Sequence, residues 1–111
     1  KTGFDQLKDG WFYLLSHPTW GLMQLGITNV PKKRIAKHKK LGWEVLDIAG
    51  PMNGLATREL ETKSLRYLKK IGAQVDVEFI AGKFDGYSES WIESKLKVSS
   101  ISELKDLISN E

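Results

Sequence analysis

Apolar and polar positions along the chain fall into segments of two distinct periods, and these periods predict the elements. GWFYLLSHP (10–18) is a near-continuous aromatic and aliphatic run, the pattern of a buried strand, closed by His17-Pro18. LMQLGIT (22–28) is a second run, and the short Trp20-Gly21 connection makes the two an antiparallel hairpin. Positions 31–41 switch to helical spacing. Thr28-Asn29 offers an N-cap, Pro31 stands near the first turn, where its missing N–H costs little, and Gly42 stops the helix. WEVLDIA (43–49) reads as a third strand ended by Gly50-Pro51, and 55–71 reads as the longest helix, ended by Gly72. VDVEFI (75–80) has the pattern of an edge strand, and GKFDGYSESW (82–91) is a loop around Gly82 and Gly86. SISELKDLIS (100–109) closes the chain as a helix, with Ser100 or Ser102 as cap and Glu103 completing a capping box.

The order β-β-α-β-α, then a smaller strand and helix, predicts an α/β (α+β) domain. Its core is a small three-stranded, mainly antiparallel sheet flanked by helices. Residues 1–9 read as an N-terminal arm with a short helix or arm at 4–8, 10–72 as the core and 73–111 as a C-terminal extension of one domain. A chain of 111 residues buries such a core without covalent staples. With no cysteine there is no disulfide, thiol nucleophile or Cys-ligated zinc. No apolar run approaches the roughly 18 residues of a membrane span, and positions 1–10 do not resemble a signal peptide. An intracellular, cytoplasmic protein is the expectation. Because it starts at Lys1, the sequence reads as a piece excised from a longer chain, with other domains as partners.

The net charge of +3 conceals a division. Positions 1–75 hold 13 Lys/Arg against 6 Asp/Glu (+7), and 76–111 hold 4 against 8 (−4). Opposite signs suggest one face for an anionic partner and a separate solvating end. VPKKRIAKHKK (30–40) carries six Lys/Arg in 11 residues. Such a run also suits a plain solvated helix face.

The informative positions are polar residues where periodicity demands apolar ones. With Leu60 set at zero, Ile71, Ser64, Leu68 and Leu65 fall at roughly 20°, 40°, 80° and 140° around the helix. Glu61 falls at roughly 100°, inside that arc, whereas Glu59 joins Lys63, Arg66 and Lys70 on the charged side. An inward carboxylate is costly unless paired, protonated or bound to a metal, so a salt bridge or a pocket lip also accounts for it. On the basic helix, Arg34, His38 and Leu41 share one face beside Ile35, and Lys33, Lys37 and Lys40 form a separate outward stripe. A core histidine is the plain reading of His38 alone, and a core aromatic that of Tyr13; with Arg34 and Glu61 they read as a site. Tyr, Arg, His and Glu suit phosphodiester chemistry. Arg34 would stabilise transition-state charge, and Glu61 would hold a Mg²⁺ that activates water or stabilises the leaving oxygen. Tyr13, its pKa lowered by the cation and Arg34, would take a proton from water.

In order, GWFYLL, MQLGITN, PKKRIAKH and RELE on a helix closely resemble the GIY-YIG endonuclease superfamily, from about Gly10 to Ile71. Tyr13-Leu14-Leu15 matches the end of its first motif and Gly26-Ile27-Thr28 its second. Arg34 and His38 match its helix, and Glu61 matches its metal-binding carboxylate. GYSESW (86–91) and the short terminal helix resemble its phage and bacterial branch, in which an acidic-aromatic pair closes the domain. The resemblance implies DNA cleavage with one divalent metal, Mg²⁺ or Mn²⁺. There are two departures: Trp11 stands where the family usually has Gly, and Gln24 replaces the second-motif tyrosine. Gln24 can hydrogen-bond water or phosphate but cannot act as a base near neutral pH. Lys32, Lys33, Lys37 and Lys40 would meet DNA phosphates without reading sequence, and Gly26 would allow close packing. A catalytically silent nucleic-acid-binding module and a protein-interaction domain are the alternatives.

Overall fold

The computed structural model describes residues 3–111, and the hairpin lies at its centre. Strands β1 (Gly10–His17) and β2 (Leu22–Thr28) pair antiparallel from Trp11↔Thr28 to His17↔Leu22. β3 (Glu44–Met52) pairs antiparallel with the other edge of β1, and β4 (Ser90–Ile92) with β2, giving the order β3-β1-β2-β4. The two central strands are covered on both faces, which is why their sequences are almost wholly apolar instead of alternating.

Alternate residues build two cores. Phe12, Leu14, Met23, Leu25 and Ile27 pack with Leu68 of α2 (Gly54–Lys70) and with Ile101 and Leu104 of α4 (Ile101–Ser109). On the other face Tyr13, Leu15 and Leu22 pack with Ile35 of α1 (Pro31–Lys39), Trp43 and Val77 of α3 (Val77–Ala81). The class is α+β as expected, but the sheet has four strands. The fourth, at 90–92, begins within the last residues of the expected loop and runs one residue past it, and the expected edge strand at 75–80 gives way to α3. The physical reason is burial. Val77 and Ala81, four apart, pack into the second core, while Phe79, which a strand would also have used, is 90% exposed.

The helix ends follow local chemistry. The Thr28 hydroxyl accepts the Val30 N–H (3.0 Å), but Val30 itself occupies the N-cap of α1, and Asn29 is turned toward the arm. The helix stops at Lys39, so Leu41 leaves the inward face and is exposed; Trp43 fills the core instead. Asn53 caps α2 by accepting the Ala56 N–H (3.0 Å), and Ile71, just past the helix end, is exposed. At α4, the Ser100 hydroxyl accepts the Glu103 N–H (3.1 Å), and Glu103 accepts the Ser99 N–H (2.8 Å), a capping box reaching one residue further back than expected. Among the described residues no helix is long and apolar enough to cross a membrane.

Candidate functional site

β1 directs Tyr13 to the sheet face that α1 covers, where its ring crosses Gly26, its register partner on β2. A Cβ at Gly26 would collide with the Tyr13 hydroxyl, so glycine is required by the close approach. The hydroxyl lies 3.1 Å from His38 Nε2, with ring centroids 5.4 Å apart, and both residues are buried. One turn earlier on α1, Arg34 Nη1 donates to Asp85 Oδ2 at 3.1 Å, and Lys37 Nζ lies 3.7 Å from the same oxygen.

The Tyr13 hydroxyl titrates well above the ordinary value of 10. Burial is the main cause; the Arg34 guanidinium opposes it, and the charges of Glu89, Asp85 and Glu61 add to it. Of the two cations expected to lower the Tyr13 pKa, Arg34 does lower it but is outweighed by desolvation. The charges that bear on this hydroxyl come from three parts of the chain: Arg34 of α1, Glu61 of α2, and Asp85 and Glu89 of the segment 82–91. Glu61 is 7% exposed and belongs to the inward face of α2 with Thr57, Ser64 and Leu68, as its helical position predicts.

Gln24 lies on the same sheet face but is wholly buried beneath Gly86, where a Cβ would collide with its carboxamide. Neither amide atom has a hydrogen-bond partner among the described residues. Lys32, Lys33, Lys37 and Lys40 are all exposed along α1 and its end.

Sequence periodicity alone does not find Asp85 and Glu89. The acidic end of the chain is in part the solvating segment its charge suggested, with Glu78, Glu103, Asp106 and Glu111 exposed, but the stretch around Asp85 is not. That stretch returns over the basic helix because Phe84 packs against Trp20 and Trp43 (ring centroids 5.0 and 5.8 Å). Phe84-Asp85-Gly86, an aromatic anchor before an acid and a turn glycine, is the signal that could have placed it. Compared with family models, with curated proteins and with solved structures, the chain matches none.

Proposed function

We propose that the chain is a metal-dependent endonuclease of GIY-YIG type that hydrolyses DNA phosphodiester bonds. The observation that carries this reading is the meeting of Tyr13, His38 and Arg34 on one face of the sheet, with Glu61 buried near enough for its charge to act on Tyr13. Arg34 uses one N–H on Asp85 and keeps its other donors for charge developing on a phosphoryl group. Tyr13 is neutral near pH 7, so a base role requires a relay: as its oxygen takes a proton from water, its own proton passes to His38 Nε2, in the tautomer carrying hydrogen on Nδ1.

Glu61 offers the oxygen donor that Mg²⁺ and Mn²⁺ take. Among the described residues no three His, Asp or Glu gather as a metal cage. Glu61 would hold the ion together with water and substrate phosphate, the usual mode for Mg²⁺. Bound there, the ion would acidify water and offset charge on the leaving oxygen. Lys32, Lys33, Lys37 and Lys40 would contact neighbouring phosphates.

The test is plasmid nicking in Mg²⁺ or Mn²⁺. Wild type is expected to convert supercoiled to open-circular DNA, with losses of about 100-fold or more in Glu61→Gln and Arg34→Ala. DNA binding with no cleavage in either metal overturns the enzyme reading in favour of a silent nucleic-acid-binding module. Gln24 favours that second reading, because an amide buried under Gly86 supplies no base where the resembling family has a tyrosine.

A further inference from the structure

Beside Arg34 lies a cleft of about 230 Å³ between the arm and the junction of β2 with α1. Its walls include Phe4 and Lys8 of the arm, Ile27, Thr28 and Val30 of the junction, and Arg34 itself. The arm wall is built in. Asn29 Oδ1 accepts the Asp5 N–H (2.7 Å), and its Nδ2 donates to the carbonyls of Asp5 (3.0 Å) and Asp9 (2.9 Å). At the start of α2 a Cβ on Gly54 would collide with the Gln6 and Lys8 carbonyls, so the arm backbone rests directly on that helix. Arg58 reaches the Phe4 carbonyl (3.4 Å) and lies 5.4 Å from the centre of its ring.

We propose that this cleft is a nucleotide subsite that takes one deoxynucleotide of a bound strand. The phosphate sits on Arg34 and Lys8, and the base or sugar sits against Phe4 and the exposed Val30. The proposal rests on the nucleic-acid reading above and adds the arm to the binding surface. Three properties select this ligand. The volume is below the roughly 300 Å³ at which drug-sized ligands begin, so it suits a single unit of a polymer. Two cations beside an aromatic and an aliphatic wall suit an anion attached to a flat apolar group. Arg34 joins the cleft to the Tyr13–His38 cluster, so a strand lying across one reaches the other. The Asp5 carboxylate, also in the wall, accepts the Leu7 N–H (2.9 Å) within the arm.

The test titrates dAMP, deoxyadenosine and inorganic phosphate into the ¹⁵N-labelled chain. dAMP is expected to shift the amides of Phe4, Thr28, Val30 and Arg34, and to bind about tenfold more tightly than inorganic phosphate. Gly3→Trp fills the cleft from a position where a Cβ meets nothing within 4 Å, and is expected to abolish those shifts while keeping a native spectrum. Lys8→Glu is expected to weaken dAMP by about tenfold with the fold intact. Equal binding of dAMP and phosphate, shifts confined to the lysine face of α1, or a folded Gly3→Trp that still binds dAMP overturns the subsite. The nicking assay is independent. A chain that nicks DNA but binds no dAMP in the cleft sinks the subsite alone, and one that binds dAMP there without nicking sinks only the enzyme reading.

Discussion

Gln24 is fully buried, its carboxamide has no hydrogen-bond partner among the described residues, and the loop above it stays close only because residue 86 is glycine at φ 87°. An unsatisfied buried amide costs about 1–3 kcal/mol, so Gln24→Met, which keeps the volume and removes the polar atoms, is expected to leave stability unchanged or raise it by about 1 kcal/mol. A clear fall in the urea midpoint would show that the amide is satisfied in solution. Tyr13 supports a second prediction. Its folded-state pKa lies above that of an unfolded tyrosine, so unfolding releases a proton above about pH 10. The stability linked to this proton is therefore complete below that pH and declines as pH rises toward the folded value. Between about pH 9 and 11, wild type is expected to lose more stability than Tyr13→Phe in urea unfolding; equal losses would overturn the assignment. At this scale the sequence is readable where one helix turn decides the direction of a side chain, as for Glu61. It does not reveal how far burial outweighs Arg34 at Tyr13, because that balance depends on packing from both α1 and the distant loop.

At the scale of elements, the hairpin, α1, β3, α2 and α4 were legible because their apolar spacing and stop residues are local. What was lost depended on distant partners. α3 reads as a strand until Val77 and Ala81 find Trp43 and Leu15, and β4 has only three residues, paired to Leu22–Gln24. Asp47 shows the same limit. From β3 it accepts the Ile101 N–H at 2.8 Å, joining the first turn of α4 to the sheet across 54 positions. A carboxylate at a helix start is worth about 1 kcal/mol, so Asp47→Ala is expected to lower the urea midpoint by that amount, with hydrogen-exchange protection lost first in α4. Uniform loss across the sheet would argue against this local role.

Across the whole molecule, the division of charge proves to be a contact. Asp85, from the acidic part of the sequence, sits on Arg34 and Lys37 of the basic helix. On the proposed DNA-binding reading this carboxylate would act as a tethered counterion: it is present at fixed local concentration and cannot be diluted into the buffer. Lys32, Lys33, Arg34, Lys37 and Lys40, all engaged on phosphates, would give a slope of log K against log salt of about −4.5. With one of these five charges already offset by the single Asp85 carboxylate that Arg34 and Lys37 share, the expected slope is about −3.6. Asp85→Asn is expected to steepen it and to strengthen binding most at low salt; an unchanged slope in a filter-binding series would refute this. Carrying its own anion, a basic helix that binds DNA as proposed would give up some affinity in dilute salt and be correspondingly less sensitive to changes in ionic strength.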